Sequence, residues 1–218
     1  QLVSSGLAAV WAEENTRESL FKAIKRREVY ATSGTRIKLR FFGGWAFKKT
    51  DVMQADFVSI GYRKGVPMGG DLIGHSDSGA PSFMVAASRD ADGANLDRIQ
   101  IIKGWLDANG ETQEQIYDVA LSDGRSANWL GKIAPVGNTA NIANASYSNS
   151  IGDPELTAVW TDPDFDSEQR AFYYARVIQI PTPRWTAYDL KYFGAVIDPK
   201  APDTVQDRAY SSPIWYTP

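Results

Sequence analysis

Cysteine is absent from this chain of 218 residues, and histidine occurs once, as His75. The absence of cysteine excludes disulfides, thiolate metal sites and cysteine nucleophiles. The single histidine excludes histidine-rich metal clusters and any histidine dyad away from position 75. We therefore predict that the chain by itself contains no catalytic residue, no metal ligand and no cofactor site.

Long apolar runs and positive charge are also scarce. No run approaches the roughly 18 apolar residues of a membrane-spanning helix, and no signal peptide is visible. The net charge is −3, and no basic run extends beyond residues 25–27, so we expect neither a membrane span nor a nucleic-acid surface. A cysteine-free chain suits the cytoplasm or the periplasm, and we favour a periplasmic or secreted location. Because the chain begins with Gln1 rather than Met, we expect a fragment of a longer protein.

The clearest local pattern is a helix that begins near Asn15. Asn15 and Glu18 fit a capping box, and an apolar stripe surrounded by cations follows them. Residues 29–32 then have strand composition, and residues 6–11 precede the helix as a short apolar strand. This arrangement predicts a strand–helix–strand unit, and we expect no further helix in the chain.

After residue 36 the pattern changes to short strands separated by turns. The hydrophobic content of 43% is sufficient for a sizeable core, and residues 124–154 are predicted to form a long loop. The predicted strands are 36–41, 57–62, 82–87, 96–105, 115–121, 155–160, 171–180 and a closing edge strand at 212–216. We therefore predict a mainly β fold in which residues 37–218 form an antiparallel, immunoglobulin-like β-sandwich and residues 1–36 a separate α/β unit.

Two motifs resemble functional sites, a catalytic triad and a calcium loop, but neither has the required arrangement of residues. His75 lies near Asp77, but catalytic triads are assembled by the fold rather than by adjacent residues, so a polar loop histidine is the simpler interpretation. Residues 162–168 space their acids like a calcium loop. Ser167 occupies the position of the loop glycine and Tyr173 that of the last acid, so a solvated turn is predicted instead.

Two other groups of residues are candidates for ligand contact. Cations and hydroxyls suit an anion such as phosphate, although a solvated helix end would explain the same composition. The residues of this substrate-contact cluster are Arg26, Arg27, Thr32, Ser33, Thr35 and Arg36. Exposed tryptophans could form a sugar-binding platform, although sandwich cores also use tryptophan. The platform candidates are Trp105, Trp129, Trp185 and Trp215.

Residues 6–37 (GLAAVWAEENTRESLFKAIKRREVYATSGTRI) closely resemble a segment of the bacterial domain-of-unknown-function family DUF3604. Five further stretches resemble the same family, so the resemblance covers nearly the whole chain. They are 66–72 (VPMGGDL), 96–106 (LDRIQIIKGWL), 169–177 (QRAFYYARV), 180–186 (IPTPRWT) and 209–216 (AYSSPIWY). Members of this family are longer proteins, and their front part resembles the metal-dependent phosphoesterases of the polymerase-and-histidinol-phosphatase (PHP) superfamily.

The resemblance implies a function that the chain would not perform alone. PHP-like enzymes are distorted β/α barrels in which bound divalent metals activate a hydroxide that attacks phosphorus. Residues 1–36 would be the last piece of that barrel, and the metals and a small phosphorylated substrate would bind in the missing N-terminal barrel. Residues 74–77 carry letters similar to a barrel metal motif, but in the wrong order. The alternative is a non-catalytic module that binds glycan or protein through an aromatic face of the sandwich.

Overall fold

A computed structural model describes residues 6–74, 79–198 and 200–218, which form mainly β structure. His75 and Asp77, which were considered above as a possible catalytic motif, lie outside these residues. The strands are β1 (Leu7–Val10), β2 (Val29–Thr32), β3 (Lys38–Gly44), β4 (Gly65–Pro67), β5 (Asp71–Ile73), β6 (Ser82–Ser88), β7 (Leu96–Leu106), β8 (Thr112–Leu121), β9 (Glu155–Thr161), β10 (Ala171–Gln179), β11 (Thr182–Pro183), β12 (Thr204–Val205), β13 (Arg208–Ser211) and β14 (Ile214–Thr217). The helices are α1 (Arg17–Lys25), α2 (Phe57–Lys64) and α3 (Trp185–Phe193).

Strand β10 is the centre of an eight-stranded sheet. It pairs with β7 along one edge, and β8 continues the sheet beyond β7. On its other edge β14 pairs with the first half of β10 and β13 with the second half. Strands β2 and β1 extend the sheet beyond β13, and β5 pairs with β14. All of these pairs are antiparallel except β14–β5, which is parallel.

A second, four-stranded antiparallel sheet has the order β4-β3-β6-β9. Alternate residues of β10 face it and are buried, as the pleat of a strand requires. The phenyl ring of Phe83 lies at the centre of the shared core, 4.4 Å from the ring of Tyr173 and 5.6 Å from that of Phe41. The prediction of a mainly β chain with antiparallel sheets is therefore confirmed, as are the strands predicted at 82–87, 96–105, 115–121, 155–160 and 171–180.

Helices α2 and α3 lie where the sequence pattern predicted a strand and a segment without a helix. Residues 57–62 form helix α2 rather than a strand. Phe57 and Ile60 lie one turn apart, and Phe57 and Val58 pack against a small cluster that contains Phe42. Helix α3 occupies an excursion that was predicted to contain no helix; it begins after β11 and ends at Gly194, whose φ of 64° is left-handed.

Two further boundaries differ from the prediction. Thr16 rather than Asn15 caps α1, because its Oγ1 atom accepts a hydrogen bond from the amide of Ser19 at 3.3 Å. The last strand, β14, is not an edge strand, since β5 returns parallel to it and covers its outer side. The pairing of β5 could not be inferred from a strand of only three residues.

The strand–helix–strand unit is part of the larger sheet. Its strands run antiparallel, with Leu7 opposite Thr32 and Val10 opposite Val29, and β2 pairs directly with β13. The strands of a β/α barrel run parallel, and the described residues of this unit do not show that arrangement. The origin of residues 1–36 in a barrel stays a prediction, and so does the immunoglobulin-like topology.

Candidate functional site

Strand β2 separates the members of the predicted substrate-contact cluster. At its start, Arg26 pairs with Glu28 at 3.3 Å and Arg27 pairs with Asp71 at 2.7 Å. The other four members lie at the far end of β2, which at about 3.3 Å per residue is roughly 13 Å away. The two arginines therefore have carboxylate partners of their own and do not form one anion site with the hydroxyls.

The hydroxyl end of the cluster is organised by two aspartates. The Ser33 hydroxyl donates to Asp207 Oδ1 at 2.7 Å and accepts from the amide of Arg208 at 2.9 Å. The amide of Arg36 donates to Asp90 Oδ2 at 2.8 Å. These bonds connect the end of β2 to the β6–β7 turn and to the start of β13.

The other two hydroxyls have different surroundings. Thr32 Oγ1 accepts a hydrogen bond from the amide of Gly34 at 3.3 Å and so belongs to the local turn. Thr35 Oγ1 is buried and has no hydrogen-bond partner among the described residues. A buried hydroxyl without a partner costs free energy, so Thr35 is the member of the cluster that a bound ligand could satisfy.

Ser33 and Thr35 line a cavity of about 720 Å³, here called the polar pocket. It lies between the β2–β3 connection, the β6–β7 turn and the segment that carries α3. Besides the two hydroxyls, its walls contain three carboxylates, three aromatic rings and one guanidinium. These residues are Asp90, Asp92 and Asp207; Tyr147, Trp185 and Tyr188; and Arg184. The size is that of small-molecule sites.

The electrostatics of the polar pocket follow from these neighbours. The amide of Arg36 and a second backbone amide hold the pKa of Asp90 below its usual value, although partial burial opposes them. Burial raises the pKa of the Tyr147 phenol, and the carboxylates of Asp90 and Asp207 raise it further, against the lowering effect of Arg89.

A second cavity of about 600 Å³, here called the aromatic groove, lies on the side of the large sheet that faces away from the shared core. The ring of Trp215 is 5.3 Å from that of Phe172, and the side chain of Trp215 is 43% exposed. The rings of Tyr174 and Tyr210 continue the row at 6.4 and 6.5 Å. Glu114 and Arg170 supply opposite charges at the rim of the groove.

Glycine makes the aromatic groove possible. Gly104 lies opposite Phe172 in the register, and a Cβ atom at this position would come within 2.3 Å of the Phe172 ring. The ring therefore packs closely against the backbone of β7 at Gly104, and a side chain at this position would displace it.

The four platform tryptophans do not share one surface. Trp105 and Trp215 line the aromatic groove, Trp185 lines the polar pocket, and Trp129 is 90% exposed in a loop away from both. Phe172 was not among the predicted contact residues, although aromatic residues at every second position of a predicted strand indicate a row of rings on one face.

The acids of the predicted turn at 162–168 have a structural role. Lys103 Nζ lies 2.7 Å from Asp162 Oδ2, and the hydroxyl of Tyr173 donates to the same oxygen at 2.7 Å. The lysine and aspartate side chains are 3% and 0% exposed. Lys103 also donates to the carbonyl of Asp164. Within residues 6–74, 79–198 and 200–218, no group of three or more His, Cys, Asp or Glu residues could hold a metal ion.

The chain is mainly β, its cavities include the polar pocket and the aromatic groove, and one comparison supplies its family. The family model described as "Protein of unknown function (DUF3604)" matches residues 1–218, so the chain belongs to this family. No curated protein and no solved structure matches it. The described helices are too short or too polar to cross a membrane.

Proposed function

We propose that this chain is the C-terminal accessory domain of a metal-dependent phosphoesterase-like hydrolase, an immunoglobulin-like sandwich that packs against a PHP-like barrel upstream. Membership of DUF3604 supports the proposal, because the longer members of that family resemble PHP phosphoesterases in their front part, and residues 6–37 would then be the end of that barrel. The structural observation that carries it is the apolar surface of α1.

Helix α1 is well formed but poorly covered. Thr16 caps its first turn. An exposed ion pair between Lys22 and Glu18, four residues apart and 2.6 Å long, stabilises the helix further. Only Ala23 is buried, whereas Phe21 and Ile24 are 64% and 54% exposed. Because an amphipathic helix stabilises a fold by burying its apolar stripe, the described residues leave this stripe without a partner.

Strand β1 extends the same apolar region. It ends the eight-stranded sheet, so one row of its backbone groups has no strand beside it among the described residues. Leu7 on this strand is 42% exposed. An apolar edge beside an apolar helix is suited to a permanent intramolecular interface. We infer that the barrel covers both.

In this arrangement the barrel performs the chemistry. Divalent metals bound by the barrel would supply Lewis-acid and hydroxide chemistry toward a small phosphorylated substrate. The present chain would contribute packing and its own cavities, and would be inert alone. A periplasmic or secreted location remains our expectation.

The test compares residues 1–218 with the complete reading frame that contains them. Both are stripped of metal, supplied with Mn²⁺ or Zn²⁺, and assayed with p-nitrophenyl phosphate and bis-p-nitrophenyl phosphate. We expect metal-dependent hydrolysis by the longer protein and none by residues 1–218. Hydrolysis by the chain alone, or none by the longer protein on either ester, would contradict the proposal.

The aromatic groove favours a second function, a non-catalytic module that binds glycan. Aromatic rows with charged rims provide stacking surfaces, and Trp215 is the most accessible ring of the row. A glycan array probed with residues 1–218 tests it. Binding that Trp215→Ala abolishes and Trp129→Ala leaves intact would establish this function; an array without binders would reject it.

A further inference from the structure

The polar pocket contains hydrogen-bond acceptors that the described residues leave unused. Asp207 Oδ1 accepts from Ser33, but its Oδ2 atom accepts nothing from the described residues. The same is true of the Asp92 carboxylate. The buried Thr35 hydroxyl adds a third polar atom without a partner among them. A ligand that carries positive charge would complement the two carboxylates, and a single hydroxyl on such a ligand would pair with the Thr35 oxygen.

The net charge of the walls indicates the same class of ligand. Three carboxylates face one guanidinium, that of Arg184. Arg89 lies nearby, but its Nη1 atom already donates to three carbonyls of the β6–β7 turn, the shortest being that of Gly93 at 2.7 Å. An anion would meet an excess of negative charge here, whereas a cation would be attracted.

The aromatic walls suit a cation with an apolar body. Trp185 and Tyr188 are 39% and 36% exposed, and Tyr147 faces the same cavity. The Arg184 guanidinium lies 5.7 Å from the centre of the Trp185 ring, within the range of a cation–π interaction. Rings of this kind attract quaternary and alkylated ammonium groups, which carry charge but also expose methyl or methylene surface.

We propose that the polar pocket binds a small organic ammonium ion, with the carboxylates of Asp92 and Asp207 facing its charge and the rings of Tyr147, Trp185 and Tyr188 contacting its alkyl groups. This inference goes beyond the accessory-domain function and does not depend on it, because every residue involved belongs to the present chain.

Isothermal titration calorimetry of residues 1–218 with choline tests the proposal. Its uncharged isostere 3,3-dimethylbutan-1-ol is titrated in parallel, with NaCl added to equalise ionic strength. We expect saturable binding of choline and at least about fivefold weaker binding of the isostere, in accordance with a cation–π contribution. Equal binding of the two ligands, or no heat of binding for choline up to millimolar concentration, would overturn the proposal.

Two variants locate the site. Asp92→Asn removes an exposed carboxylate and Trp185→Ala an exposed ring, and each is expected to weaken choline binding by about fivefold or more. The matched controls are Glu111→Gln and Trp129→Ala, which alter exposed residues outside the pocket. Thermal melts of the four variants would verify that each is folded. If the pocket variants bind like the controls, choline binds elsewhere and the assignment is wrong.

Discussion

Replacing Asp162 with asparagine should strongly destabilise the chain, because it leaves the Lys103 ammonium buried beside a neutral side chain. In the native structure the lysine is 3% exposed and has two oxygen partners at 2.7 Å, Asp162 Oδ2 and the carbonyl of Asp164. Burial and the Asp162 carboxylate both raise the pKa of Tyr173, so this phenol stays protonated and donates to the same oxygen.

The magnitude follows from the geometry. Two unit charges 2.7 Å apart attract each other by about 6 kcal/mol at an effective dielectric constant of about 20. The asparagine oxygen can still accept from Lys103 or Tyr173, which recovers part of this energy. Breaking a buried pair from one side typically costs about 3–5 kcal/mol, and we expect Asp162→Asn to lie in that range.

Urea unfolding followed by tryptophan fluorescence measures the effect. The free energy of unfolding should fall by about 3–5 kcal/mol with an unchanged m-value. Glu18→Gln, which removes an exposed ion pair, should change it by at most about 0.5 kcal/mol. The double variant Lys103→Met/Asp162→Leu should lose less than the sum of the two single changes. A loss below about 1 kcal/mol for Asp162→Asn would show that the pair is solvated and would refute this reasoning.

Three further predictions concern tight contacts and acid stability. Gly61→Ala in α2 should destabilise the chain by about 1–3 kcal/mol in thermal melts despite the higher helix propensity of alanine, because its Cβ would lie 2.6 Å from the Phe42 ring. Gly104→Ala should cost a similar amount and should also reduce ligand access to the aromatic groove, measurable as quenching of tryptophan fluorescence by acrylamide. The pKa of Asp90 is depressed in the folded state by an amide donor, so its contribution is present above the unfolded pKa of about 3.9 and is lost as pH falls through the folded value. Asp90→Asn should therefore flatten the loss of unfolding free energy between about pH 5 and pH 2, and an unchanged slope would contradict the assignment.

The strands with clear alternation could be predicted from sequence, and the short apolar segments could not. Alternate residues of β10 face the core, so its composition and its structure agree. The apolar side chains of residues 57–62 fit both the alternation of a strand and the spacing of a helix. Their packing against Phe42 favours the helix. Helix α3 was missed because its start follows prolines and its stripe is weak, so local composition resembled a loop.

The polar pocket could be predicted only in part. Ser33 and Thr35 belonged to the predicted substrate-contact cluster, and Trp185 to the predicted tryptophan platform. Asp90 and Asp207 come from turns more than a hundred residues apart in the chain. The pairing of β2 with β13 places Asp207 beside Ser33, and the amide of Arg36 holds Asp90 on the same side. Spacing along the sequence carries no signal for such a site.

The central claim is that α1 and β1 pack against a hydrolase barrel. The most direct test combines Phe21→Ser and Ile24→Ser in the full-length protein and measures its midpoint of thermal unfolding. Met53→Ser is the control, because Met53 is 79% exposed outside this region. We expect the double change to lower the midpoint of the full-length protein by several degrees and to weaken its phosphoesterase activity, while leaving the midpoint of residues 1–218 nearly unchanged. An unchanged midpoint in the full-length protein would show that this surface faces solvent there and would contradict the account.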